Sequence, residues 1–265
     1  MTTTRYVLYA LLSAASLFVG MIILLEVGRC IGVRRLAKDP EGARAGFAAI
    51  EGAVFGLLGL LLAFVVSGAG GRFDARRQLV VDETNSIATA YLRLDMLPNS
   101  AQPGLREIFR RYLDTRIAAY RMLPDIAAAE RELAKANNMQ LEMWRQAIAA
   151  VRADGAAPQA AVVLLPALNA MFDIETTRTM AAQLHPPTIL FAILFLLALV
   201  CALLAGYGMA GGKSRSWLHV LCFAFAISVT VYVILDIEFP RAGFVHIEAF
   251  DQALVDLRAS MNVGK

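Results

Sequence analysis

Residues 57–78 read LLGLLLAFVVSGAGGRFDARRQ. Leu57 to Val66 is hydrocarbon broken by one glycine, Ser67 to Gly71 is small, and Arg72 to Arg77 holds three arginines and an aspartate. A bilayer core about 30 Å thick needs about 20 apolar residues in a helix. The run from Phe47 to Ser67 supplies them, so this stretch reads as the exit of a membrane span into water. Two readings of the exit are open. In one, the span stops among the small residues and the arginines meet headgroups. In the other, a single long helix leaves the membrane and continues. Glycines inside a helix cost about 1 kcal/mol each relative to alanine. Close approach of neighbouring helices at Ser67, Gly68, Ala69, Gly70 and Gly71 would offset that cost.

The same glycines do not read as a phosphate loop. Backbone amides at a helix start do bind anions. However, the dinucleotide fingerprint needs a preceding strand and a glycine where Phe73 stands, and the P-loop needs a lysine followed by serine or threonine. Neither pattern is present.

Composition places the whole chain in the same setting. Of its 265 residues, 58% are hydrophobic and 18% charged, against about 25% charged in soluble domains. Mean hydropathy is +0.58. A net charge of +3 without a basic block argues against a nucleic-acid partner. Cys30, Cys201 and Cys222 are odd in number and form no CxxC, which excludes a disulfide framework. His185, His219 and His246 lack ligand spacing. No metal, no cofactor and no enzyme activity are expected, since GxSxG and HExxH are absent.

Four spans are expected: Tyr6 to Val27, Phe47 to Ser67, Thr188 to Tyr207 and Leu218 to Leu235. The first exceeds the 7–15 apolar residues typical of a signal peptide and is read as a retained helix. Between spans two and three, apolar residues recur at helical spacing. Val80, Ile87, Tyr91 and Leu94 form one set, and Leu105, Phe109, Tyr112 and Arg116 another. Pro103 suits a first helical turn. A third helix is expected from Asp125 to Ala153, with a face of Ile126, Leu133, Leu141, Trp144, Ile148 and Val151 needing a partner. A fourth starts near Pro158, with Pro166 a candidate kink. The tail repeats Ile247, Phe250, Leu254, Leu257 and Met261 as an amphipathic helix, expected to pack on the insert. The fold class expected is an all-α membrane protein with four transmembrane helices and a helical-bundle insert. Its divisions are 1–68 (spans one and two), 69–186 (insert), 187–237 (spans three and four) and 238–265 (tail).

Several charged residues receive readings of their own. Glu26 and Glu51 sit near span ends, where water reaches them. Arg72, Asp74, Arg76, Asp236 and Glu238 form a membrane-exit charge cluster, with Asp236 and Glu238 expected to pair with Arg72, Arg76 or Arg77. Asp82 and Glu83 read as surface charges balancing Arg76 and Arg77. Glu175 and Arg178 read as a surface ion pair, Tyr91 as core and Arg93 as surface.

RFDAR at Arg72–Arg76, just beyond an apolar second span, resembles the Arg-aromatic-x-x-Arg segment of bacterial bestrophins, and DIEFP at Asp236–Pro240 resembles the stretch after their last span. The chain is more similar still to the bacterial bestrophin-like family, through RFDARRQ, ETNSIATAYLRLD at Glu83–Asp95, and Pro240 with Gly243. This resemblance covers most of the chain. Bestrophins are pentamers whose second span lines the pore, with a helical insert and a tail packed on it. The resemblance therefore implies a homo-oligomer, a pentamer in those channels, with a pore neck at Phe64 and Leu60, four residues apart. Gly56 stands at the next position outward, where the pattern has a larger side chain. Leu57 and Leu61 form an alternative register. The acidic calcium-binding run of animal bestrophins is missing, which counts against calcium control.

The resulting expectation is an ion channel in the bacterial inner membrane, with the lipid bilayer, further copies of the chain and a small inorganic ion as partners. Selectivity stays open between anions and monovalent cations. The alternative is a membrane-anchored helical sensor or scaffold without a pore. Seven basic residues flank the membrane on one side and six on the other, a margin favouring an external insert. The resemblance implies a cytosolic insert and C-terminus, and that orientation is adopted.

Overall fold

The computed structural model describes residues 3–39, 47–123, 125–212, 216–240, 243–245 and 248–262. Among them are eight α-helices and no strand: α1 (Thr3–Lys38), α2 (Phe47–Leu92), α3 (Gln102–Met122), α4 (Ile126–Val151), α5 (Ala160–Gln183), α6 (Thr188–Gly208), α7 (Trp217–Glu238) and α8 (Glu248–Ser260). Four helices are long and apolar enough to cross a membrane, and the protein is a multi-pass membrane protein. His246, Ile247, Arg44, Lys213, Arg215 and Arg241 lie outside the described residues, and the side chain of Phe250 does too.

The chain divides into two compact units. The membrane unit comprises Thr4–Gly71 and His185–Phe239; the insert unit comprises Arg72–Leu184 and Pro240–Lys265, with Met1–Thr3. α2 is one helix of 46 residues that continues through the glycine patch. Of the two readings of the exit, the continuous helix is the one adopted.

In the membrane unit, α1 and α6 meet through glycine. A Cβ built on Gly28 would lie 2.0 Å from the Leu203 carbonyl oxygen, and one on Gly206 would lie 2.0 Å from that of Leu25. Gly32 is similarly close to Tyr207 and Ala210. Without side chains at these points the two backbones touch, the usual device where lipid supplies no hydrophobic drive. α2 packs on α6 and α7 through Phe47 against Tyr207 and Phe55 against Phe223, with ring centroids 4.6 and 5.6 Å apart.

In the insert unit, a single apolar core gathers Ile87, Phe109, Tyr112, Met143, Leu164 and Leu254 from α2, α3, α4, α5 and α8, with Leu94 from the turn after α2. The Asp125 side chain accepts from the Ala128 amide at 3.1 Å and caps α4. Gly155 takes φ +84°, where glycine alone is unstrained, and turns the chain towards α5. Pro166 lies inside α5 and removes one backbone donor. Nearby, the Arg93 Nη1 donates to the Val163 carbonyl at 2.6 Å. The tail packs on the insert through Leu254 and Met261, and Arg258 pairs with Asp114 at 2.9 Å.

One face is corrected. α4 buries Ala129, Ala136, Met143, Ala147 and Ala150, while Ile126 and Leu141 are exposed and Leu133, Trp144, Ile148 and Val151 half-buried. Alanine lets α3 and α4 approach closely, so the small side chains lie at the centre of the contact and the large ones at its rim.

Candidate functional site

The candidate site begins with the faces of α2 in the membrane unit. Leu58, Val65 and Ala69 are buried, and their spacing of seven and four marks one helical face. The opposite face carries Gly56, Leu60 and Phe64. Phe64 is 67% exposed and Leu60 54% exposed within the chain, and a Cβ on Gly56 would meet nothing within 4 Å. In the alternative register Leu57 is exposed but Leu61 is half-buried. The register of Gly56, Leu60 and Phe64 is therefore the one whose members all face away from their own chain.

Glycine is distributed unevenly between two roles. Gly28, Gly32 and Gly206 are in tight backbone contact, whereas Gly52, Gly56, Gly59, Gly70 and Gly71 would each meet nothing within 4 Å of an added Cβ. Gly68 is half-buried. Of the small residues expected to seat neighbouring helices, Gly70 and Gly71 thus make no such contact within the chain, whereas Ala69 is buried. Among the described residues, the glycines in backbone contact within the chain lie on α1 and α6.

The exit charges fall in both units. In the insert unit, Arg76 is buried and donates to the carbonyls of Ala181 at 3.2 Å and Leu184 at 2.8 Å. It caps the end of α5, whose last carbonyls lack helical donors. Asp74 is exposed and pairs with Arg77 at 3.1 Å; Arg72 is half-buried. In the membrane unit, Asp236 and Glu238 are buried, and Glu238 Oε1 lies 3.2 Å from His185 Nδ1. The His185 ring stacks on Phe239 with centroids 4.3 Å apart, and the Tyr6 hydroxyl donates to the Leu235 carbonyl at 2.7 Å.

A buried ionic network was assigned otherwise from sequence. Glu83 is fully buried, not a surface charge. It accepts from Arg116 Nε at 2.7 Å, from the Tyr120 hydroxyl at 3.1 Å and from Arg178 Nη1. Arg116 Nη1 donates to Glu175 at 2.7 Å, and Arg178 Nη2 to Asp251 of α8 at 2.7 Å. Glu175 and Arg178 are buried and each pairs elsewhere, which corrects the surface-pair reading. Asp82 instead accepts from Gln78 at 3.0 Å. Burial is the largest influence on the Glu83 carboxyl and opposes its ionisation. The guanidiniums of Arg116 and Arg178 outweigh it and hold its pKa below the usual glutamate value. Arg116 itself, at helical spacing from Leu105, Phe109 and Tyr112, was the one legible sign of this network.

No curated protein matches the chain, and no solved structure does. A family model described as the bestrophin-like domain matches residues 14–249. This match runs from α1 into α8 and includes the exposed face of α2 and Glu83, Arg116, Tyr120, Glu175 and Arg178 of the buried network. The chain belongs to the bestrophin-like family.

Proposed function

We propose that the protein is an ion channel of the bacterial inner membrane, assembled from several copies of the chain, with Phe64, Leu60 and Gly56 of α2 facing a shared axis. The observation that carries this reading is the exposure of Phe64 and Leu60 on the face of α2 opposite Leu58, Val65 and Ala69. Family membership supports it, because bestrophins, which the chain resembles, line their pore with the second span. A ring of such side chains forms an apolar constriction that empties of water and stops ions, and widening the ring rewets it. No catalytic group is assigned. The permeant species is a small inorganic ion, and the insert and tail face the cytosol as in the channels resembled.

Purified protein in liposomes tests the pore. Phe64→Ala and Leu60→Ala are expected to raise salt flux several-fold over the native chain, because both widen the dry ring. Vesicles that stay tight with all three proteins, each shown to be oligomeric, would remove the pore and leave the scaffold reading.

The glycines provide an independent test of assembly. In a lone chain, Gly70→Ala and Gly71→Ala replace a poor helix former with a good one where nothing obstructs the methyl group, a gain of about 1 kcal/mol each. Between subunits the same methyl separates two helices. Expected are a smaller oligomer mass by light scattering and an unchanged or higher melting temperature of the dissociated chain. An intact oligomer that melts higher places these glycines against lipid.

A further inference from the structure

The membrane unit holds a recess of about 230 Å³ where α1, the end of α6 and the start of α7 come together. Leu25, Glu26, Arg29, Ser216, Trp217 and Val220 line it, beside Met209 and Gly212. One wall is rigid, since Gly28, Gly32 and Gly206 hold α1 and α6 in backbone contact. From this recess we infer a binding site for a phosphoethanolamine group, the headgroup of an aminophospholipid.

Each wall of the recess offers a different partner. Arg29 is half-buried and makes no hydrogen bond or ion pair among the described residues. Its guanidinium is a planar fork suited to phosphate oxygens. Glu26 lies one helical turn earlier on the same helix, at the spacing that puts side chains about 5–6 Å apart at Cβ. A simple phosphate would meet repulsion from Glu26, and a simple amine would meet repulsion from Arg29. A group with a negative phosphodiester and a positive ammonium a few ångströms apart satisfies both. Glu26 has a contact of its own, but a carboxylate offers about four acceptor sites, enough for an ammonium as well. The indole of Trp217 adds a π face for the cation. The Ser216 hydroxyl is engaged with His219 and contributes only shape.

The apolar part of the recess explains why the group should be attached to lipid. Leu25, Met209 and Val220 are apolar, and Leu218 and Leu221 of α7 are exposed. Trp217 opens α7, and the basic end of α1 carries Arg34 and Arg35, both exposed. Tryptophan and arginine at the ends of apolar helices mark the headgroup level of a bilayer. A primary ammonium donates hydrogen bonds to Glu26, whereas choline's quaternary ammonium has none to donate and glycerol carries no cation.

The test uses the full chain in detergent with short-chain phosphatidylethanolamine, phosphatidylcholine and phosphatidylglycerol, each added separately, and with free phosphoethanolamine. Lipid retention is read by native mass spectrometry and stabilisation by the melting shift. Phosphatidylethanolamine is expected to be retained several-fold better than the other two. Arg29→Ala should abolish retention, and Glu26→Gln should erase the preference over phosphatidylcholine while leaving the chain folded. Arg34→Ala, outside the recess, should behave as the native chain. A shift with free phosphoethanolamine but none with lipid keeps the site and assigns it a soluble ligand. Equal retention of all three lipids by the native chain, or an unchanged preference in both Arg29→Ala and Glu26→Gln, overturns the proposal.

Discussion

Arg116→Ala is expected to destabilise the insert by about 3–5 kcal/mol, the cost of removing one partner from a buried ion pair. The native guanidinium is wholly buried and divides its donors between Glu83, Glu175 and Tyr120. Without it, Glu83 keeps Arg178 and the Tyr120 hydroxyl, while Glu175 keeps the Thr179 hydroxyl at 3.3 Å. Glu175 then has no guanidinium, and Glu83 shares that of Arg178 with Asp251. Denaturant unfolding followed by helical ellipticity measures the loss. Arg145→Ala is the control, since its pair with Glu142 is exposed, and exposed pairs contribute about 0–1 kcal/mol. Replacing Arg116, Glu83 and Glu175 together by apolar residues of similar size should cost less than Arg116→Ala, because no charge is then stranded. A midpoint for Arg116→Ala equal to that of Arg145→Ala would show that the network adds nothing to stability.

The same network fixes a pH dependence. The folded pKa of Glu83 lies below its unfolded value. Its contribution is therefore complete above the ordinary glutamate pKa and is lost as pH falls through the lowered folded value. Between neutral and mildly acidic pH the insert should keep its stability, and the loss should begin only below the ordinary glutamate range. In Arg116→Ala the onset should stay at the ordinary glutamate value while the loss ends at a higher pH and is smaller in total, since one of the two guanidiniums holding the folded pKa down is gone.

The second large effect is expected at Gly206. An alanine methyl there would lie 2.0 Å from the Leu25 carbonyl oxygen and 2.7 Å from its carbon. Both atoms belong to backbone, so no side chain can rotate aside, and α1 and α6 must separate along their contact. Overpacking of this kind costs about 1–3 kcal/mol and occasionally more. Gly28→Ala meets the Leu203 carbonyl at the same 2.0 Å and should match it. The double variant should cost less than the sum, because once one methyl parts the helices the other finds room. Melting in detergent, followed by tryptophan fluorescence, reads all three. Gly56→Ala is the comparison, with nothing within 4 Å of its added methyl in the chain. If Gly206→Ala melts with Gly56→Ala, the α1–α6 contact is not a determinant of the fold.

These two sites show where the sequence was sufficient and where it was not. The spans were legible because a bilayer imposes a length and excludes charge, so twenty apolar residues have few other uses. The insert helices were legible from Leu105, Phe109, Tyr112 and Arg116, whose spacing is that of one helical face. The buried face of α4 differs from its pattern of large apolar residues because alanines lie at the centre of the contact. Glu83 and Glu175 were placed on the surface because a local pattern contains only local partners. Glu83 meets Arg116 33 residues later and Arg178 95 residues later, distances at which no periodicity operates. The glycines in backbone contact within the chain, Gly28, Gly32 and Gly206, lie on α1 and α6, where each needs a particular facing backbone that no local pattern reveals.

Taken by itself, the order of residues determined that this chain is helical, that four of its segments cross a membrane, and that its family is bestrophin-like. Each follows from hydrophobic length, helical period or a short run of residue types, all of them properties of neighbours along the chain. Tertiary structure decided which charges are buried together, which glycines bear backbone contact, and which face of α2 is turned away from its own chain. Those depend on what a residue meets across space, and desolvation or steric overlap is settled only by that encounter.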